Sequence, residues 1–169
     1  FSPGGVSPFT GRHISLVKTP HTIAVGDLVS RVRVVVKSDI SNSISEVQKS
    51  KSLKAKNAYG VYSEAMTLAE YTNRYDQLPL GMTWEQLSEE FDMDDELVTI
   101  NSVGEGLINV CGLGGDIKDG DNLCSSSMAG KAQQQNDDQN YNYTVAESHE
   151  DVIFDYPEQV KQIACTYRF

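Results

Sequence analysis

Two segments of the chain share one pattern. Thr22–Ser30 reads TIAVGDLVS and Asp116–Cys124 reads DIKDGDNLC. Each has an apolar residue, two further residues, Gly-Asp, and then strand-forming residues. The Gly-Asp step dictates a sharp corner, because glycine takes up positive φ freely and aspartate bonds nearby backbone N–H groups. Each segment is followed, after a polar loop, by Tyr-x-Val: Tyr59-Gly-Val61 and Tyr143-Thr-Val145. One reading is a diverged duplication with two β lobes. The other is the chance recurrence of a common turn.

The rest of the chain fits strands around such corners. Ile14–Val17 and Thr22–Val25 read as short strands. Valines in Leu28–Val36 alternate with Ser30, Arg31 and Arg33, the pattern of a half-buried strand. Residues 38–57 are rich in Ser, Lys and Asn and read as a loop, with a short strand at Ile44–Val47. Ala58–Ala65 is a strand with a glycine inside it. From Glu96 the β pattern resumes. ELVTI and GLINVCG flank NSVGEG, which reads as a hairpin. Asn122–Ser125 is a strand, and AGKAQQQNDDQNYN is a polar, flexible loop. YTVAES, EDVIFDY and VKQIACTYRF read as three further strands, the last central in its sheet.

Only the stretch 64–93 departs from this pattern. Met66, Leu68, Ala69, Tyr71 and Tyr75 stand near helical spacing. Thr83 and Gln86 fit a capping box at the start of a short helix, with Trp84, Leu87 and Phe91 on one face. The expected fold is therefore mainly β: a compact antiparallel β-sandwich or barrel-like module, with one or two short helices inserted around 64–93. Residues 1–13 form an extended arm or linker, since FSPGGVSPFTG carries two prolines and three glycines. Residues 14–169 form a single β-rich domain with a variable insert at 37–96.

Charge and length narrow the function. The 169 residues suit one ordinary domain. The net charge of −10 argues against nucleic acid, whose recognition needs clustered Lys and Arg. The basic run Lys49–Lys56 reads as a solvated loop. With no long apolar run, no membrane partner is expected. Phe1 is not an initiator methionine and FSPGGVSPF is not a signal peptide, so the chain is expected to be a fragment, a cleavage product or the ordered part of something longer. Cys111, Cys124 and Cys165 form no CxxC pair and are odd in number, so they read as small core hydrophobes.

No motif carries chemistry. GLGG at 112–115 lacks the Lys-Ser/Thr of a phosphate loop and the spacing of a dinucleotide turn, and it reads as a strand-ending turn. Asp92-Met-Asp-Asp-Glu96 looks like half of a calcium loop without the rest, and reads as a solvated helix cap. Asp119, Asp121, Asp137 and Asp138 would have to converge to hold an ion. Ser148 and His149 are neighbours, but adjacent strand residues point to opposite faces. No catalytic, cofactor-binding or metal-binding residues are therefore assigned, and no enzyme activity or cofactor is expected.

Several phrases occur together in a familiar order. FTGRH, the Gly-Asp-x-Val strand, NSVGEGLINVC, GDIKDGDNLCSS, the Gly-Lys and Gln-Asp-Asp loop, YTVA and the final VKQIACTYRF resemble a C-terminal module of bacteriophage virion structural proteins, frequent in marine and cyanobacterial phages. The likeness covers roughly 1–36 and 97–169, and 37–96 is the part such proteins vary. The resemblance implies a virion structural protein, a β-rich tail-fibre or spike end or a capsid decoration. It would act on the particle surface as a homo-oligomer, commonly a trimer, beside other virion proteins. Some related modules look similar to self-cleaving intramolecular chaperones, and no cleavage residues are assigned on this sequence, so a self-cleaving chaperone domain is one alternative. A glycan- or receptor-binding tip is the remaining alternative, with Trp84 and the tyrosines as stacking candidates.

Overall fold

The strands close into two five-stranded barrels built to one plan, as a computed structural model shows for residues 11–40, 42–79, 82–87 and 89–169. The first uses β1 (His13–Val17), β2 (Leu28–Asp39), β3 (Asn42–Lys49), β4 (Ala58–Thr67) and β5 (Glu96–Asn101). The second uses β6 (Val103–Cys111), β7 (Asn122–Ser125), β8 (Ala132–Gln134), β9 (Thr144–Ser148) and β10 (Val160–Arg168). The circular orders are β1-β3-β2-β4-β5 and β6-β8-β7-β9-β10, so each strand of one barrel has its counterpart in the other. In both, the first and third strands are parallel, through Leu16↔Glu46 and Val110↔Ala132. All other pairs are antiparallel. The β-rich, barrel-like class read from the sequence holds, and the two-lobed reading of the repeat is the one realised.

The two Gly-Asp corners are equivalent atom by atom. Gly26 has φ of 94° and Gly120 φ of 90°. Gly26 N–H donates to the Tyr62 carbonyl at 2.9 Å, and Gly120 N–H to the Ser148 carbonyl at 2.8 Å. Tyr62 N–H returns to the Asp27 carbonyl, and Ser148 N–H to that of Asp121, both at 2.9 Å. Asp27 Oδ2 accepts from Ala24 N–H, and Asp121 Oδ2 from Lys118 N–H, again both at 2.9 Å. A register shift follows each corner, between Val29 and Ser30 and between Leu123 and Cys124.

The Tyr-x-Val half of the repeat is out of register. Val29 pairs with Gly60 and Leu123 with Ala146. Tyr59-Gly-Val61 therefore corresponds to Val145-Ala-Glu147, two residues beyond Tyr143-Thr-Val145.

The expected hairpin around NSVGEG does not form. Only Ser102 separates β5 from β6. β5 pairs with β1 and β4, whereas β6 pairs with β10 and β8. Their apolar faces serve different interiors. Val98 and Ile100 pack among the first barrel's residues and Leu97, on the opposite face of β5, beneath the helices, whereas Ile108 and Val110 pack in the second barrel. The segment is the crossing point between barrels.

Other boundaries also move. Thr22–Val25 forms no strand, although Ile23 is buried. The stretch 150–156 contributes a single bridge, Ile117↔Val152. The Gln-rich segment expected as flexible loop contains β8, and Gln133 and Gln135 are buried. In β10, Ile163, Cys165 and Tyr167 alternate into the interior, while Val160 is exposed. The segment 37–96, expected as an insert, supplies the end of β2 and all of β3 and β4. Residues 1–10 of the expected arm lie outside the described residues, and His13 already belongs to β1.

Helices occupy the excursion from β4 to β5. α1 (Leu68–Tyr75) starts at a capping box in which Glu70 N–H donates to Thr67 Oγ1 at 3.0 Å. α2 (Trp84–Leu87) has the expected box: Gln86 N–H donates to Thr83 Oγ1 at 3.3 Å and Thr83 N–H to Gln86 Oε1 at 2.7 Å. Leu87 and Phe91 join Leu16, Val36, Ile44 and Leu68 in one apolar cluster. Trp84 leaves that face and is 38% exposed, and α2 itself ends at Leu87. Among the described residues, no helix is long and apolar enough to cross a membrane.

Candidate functional site: a buried carboxylate between the barrels

The first corner carries one feature that the second lacks. Asp27 has no solvent exposure, and its carboxylate faces the second barrel. Oδ1 accepts from Asn109 Nδ2 at 2.8 Å and from the Lys131 ammonium. Oδ2 holds the Ala24 N–H, and the Lys49 ammonium stands 3.8 Å away. A buried carboxylate without partners would be costly, but paired and hydrogen-bonded it becomes a rigid anchor.

The surrounding backbone closes the seam. Asn109 N–H donates to the Gly26 carbonyl at 2.9 Å, and Asn109 Nδ2 also reaches the Val25 carbonyl at 3.0 Å. Gln162 Nε2 donates to Asn109 Oδ1 at 3.0 Å, which orients the amide. Leu28 N–H donates to the Gly130 carbonyl and Gly130 N–H to the Ser50 carbonyl, both at 2.8 Å. Leu28 and Val61 of the first barrel pack into the apolar cluster of the second. The two barrels share one interior boundary.

The basic run forms part of this seam. Lys49 points at Asp27. Lys54 N–H donates to the Ser125 carbonyl at 3.0 Å, and Ala55 N–H to Ser125 Oγ at 2.8 Å. Lys51, Lys54 and Lys56 are exposed as expected, with the Lys54 ammonium 5.3 Å from the centroid of the Tyr143 ring, but the backbone is tied to β7.

The remaining candidate residues are dispersed. Ser148 Oγ donates to the Glu150 carbonyl at 2.8 Å, while His149 Nε2 meets Thr166 Oγ1 at 2.6 Å, so the two side chains take separate partners. GLGG ends β6 in one 3₁₀ turn, Gly112–Gly114. Asp121 holds the backbone of its own turn, and Asp137 Oδ1 accepts from Gln135 and from Gln139 N–H. Among the described residues, no group of three or more His, Cys, Asp or Glu side chains is placed to hold a metal ion.

Asp95 corrects the reading of 92–96 as a purely solvated cap. It is buried, and its Oδ1 accepts from Thr19 N–H at 2.9 Å while Oδ2 accepts from Asp92 N–H at 2.9 Å. All three cysteines are buried and free. Burial pushes the Cys124 thiol up to about 11 and the Cys165 thiol up to about 12.

His21 lies near the seam. Its Nδ1 accepts the Ile23 N–H at 3.1 Å, so Nε2 carries the ring proton and donates to Glu96. The Asp27 oxygens are likewise committed, away from solvent, and the arrangement fixes the shape of the seam.

Asn109 and Gln162 were not singled out from the sequence, and Lys131 entered only as part of the Gly-Lys phrase. One signal was there for Asn109: an amide between Ile108 and Val110 in an otherwise apolar strand. The chain matches no family model, no curated protein and no solved structure.

Proposed function

We propose that the chain is a structural module of a bacteriophage particle, a tail-fibre or spike end or a capsid decoration. It works by association with copies of itself and by docking on neighbouring virion proteins. The observation that carries this reading is the convergence of the phrases behind the resemblance on one buried node. Asp27 comes from the Gly-Asp-x-Val strand, Asn109 from NSVGEGLINVC, Gly130 and Lys131 from the Gly-Lys loop, and Gln162 from the last strand. Asp27, Gly130 and Lys131, which belong to the Gly-Asp-x-Val and Gly-Lys phrases, thus take part in the contacts that join the two barrels, with Asn109 and Gln162 completing the node. A role in shape and packing follows from that use more directly than a role in turnover. The acidic surface suits a crowded assembly, where like charge keeps units soluble and spaced.

Electron microscopy of phage particles carrying an epitope tag on this chain tests the proposal. Label at regular positions on the particle exterior is the expected result. Label found only in unassembled lysate would contradict it.

One observation favours a glycan-binding tip as the second reading. The Tyr141 and Tyr143 rings stack with centroids 5.0 Å apart, and Tyr141 is exposed. Glycan-array binding lost in Tyr141→Ala, with unfolding unchanged, would support that reading.

A further inference from the structure

Beside the node lies a groove of about 370 Å³ that the assembly reading leaves unused. That volume falls within the range of small-molecule sites. The floor is apolar, with Val17, Ile23 and Val47 buried beneath it and Pro20 at its side. Three lysines, Lys18, Lys49 and Lys51, are among the residues that line it. Ala129, from the turn whose Gly130 docks on the first barrel, completes one wall. The groove therefore depends on the seam being closed.

The charge around the groove runs against that of the whole molecule. The chain carries −10, yet the lining has one carboxylate, Glu46, and Arg33 Nε already binds it at 2.9 Å. Lys49 is turned toward Asp27 at 3.8 Å and is partly neutralised. Lys18 rests 5.4 Å from the centroid of the Phe91 ring. Neither Lys18 nor Lys51 pairs with a carboxylate among the described residues, and the Phe91 ring is a weak partner that a ligand anion would displace from Lys18. His21, committed to Glu96 and Ile23, does not compete for one. A concave site with low-dielectric walls and one sign of charge concentrates counter-ions.

We propose that this groove binds a small organic anion, a carboxylate or phosphate monoester carried on a flat apolar body. The anionic head lies between Lys18 and Lys51, and the body lies over Pro20 and Val47. This goes beyond the assembly reading and does not depend on it.

The test follows backbone amide shifts of Thr22, Lys51 and Ala129 by NMR in the intact chain. Four probes are titrated: phenyl phosphate, benzoate, benzyl alcohol and inorganic phosphate. Saturable shifts with phenyl phosphate or benzoate below about 10 mM are expected, since two charge-assisted contacts and a small apolar body support millimolar affinity. A response to phenyl phosphate alone assigns a phosphate headgroup, and one to benzoate alone a carboxylate. The Lys51→Gln and Lys18→Gln variants, both at exposed positions, should each bind about tenfold more weakly, as expected for loss of one charge-assisted contact. Absence of saturable shifts with both aromatic anions would overturn the proposal. So would equal binding of benzyl alcohol, equal binding of inorganic phosphate, or unchanged affinity in both variants.

Discussion

Asp27 Oδ1 lies 2.8 Å from Asn109 Nδ2, joining the corner of one barrel to the first strand of the other. The equivalent corner at Asp121 makes no such link. Its carboxylate is occupied by Lys118 N–H and, at 3.2 Å, by Gln134 Nε2, both within its own barrel. The two barrels present equivalent turns, and the one at Asp27 is the lock.

The two aspartates should therefore respond differently to truncation. Asp27→Ala leaves the Lys131 ammonium and the Asn109 amide buried without their acceptor, at a cost of about 3–5 kcal/mol. Asp121→Ala removes hydrogen bonds from a half-buried turn and should cost about 1 kcal/mol. Urea unfolding of both variants checks this. Similar losses would remove Asp27 from its special place.

The glycines of the same corners should also separate. Both hold positive φ, so alanine costs each about 1–2 kcal/mol in backbone strain. A Cβ on Gly26 would also sit 2.6 Å from Asn109 Oδ1, whereas a Cβ on Gly120 meets nothing within 4 Å. Gly26→Ala should therefore be the more damaging by thermal unfolding, and equal melting temperatures would contradict the seam geometry.

These contrasts bear on how much could be read from the residues alone. The Gly-Asp corners were legible because a turn is local: glycine supplies the φ, and the aspartate bonds the N–H three residues before it. The capping box at Thr83 was legible for the same reason. Strand partners were not. Alternation marks Leu97–Ile100 and Leu107–Cys111 as strands, but nothing in either says that they close different barrels. β8 escaped because it is three residues long and carries glutamines. The buried Gln135 that follows it is satisfied by side-chain bonds, with Thr144 Oγ1 donating to Oε1 and Nε2 donating to Asp137 Oδ1 and the Gln139 carbonyl. Asp27 looked like an ordinary turn residue because its partners lie 82 and 104 residues away.

The cysteines should be inert in the folded chain. With the Cys124 and Cys165 thiols pushed up to about 11 and about 12 by burial, almost none of either is thiolate near neutral pH. Iodoacetamide should leave the native chain unlabelled and modify all three cysteines once guanidinium unfolds it. Rapid native labelling of Cys165 would contradict its placement inside the second barrel.

His13 should make the first barrel sensitive to acid. Its ring packs on Tyr59 with centroids 4.5 Å apart, Arg31 lies 5.4 Å from the same ring, and Nε2 has no hydrogen-bond partner among the described residues. Burial holds this imidazole below its ordinary value of 6.5. The unfolded chain therefore takes up the proton first as pH falls. The contribution to stability is whole above 6.5 and declines as pH drops through that value toward the lower folded one. Unfolding free energy measured from about pH 7 down to about pH 5 should fall more steeply in the parent chain than in His13→Asn. Parallel slopes would show that another group carries the acid response.

The assembly reading itself meets its most direct test in the solution mass of the purified chain, measured by multi-angle light scattering across a concentration series. A concentration-stable species of three chain masses is the expected result. A lone monomer at every concentration would contradict it.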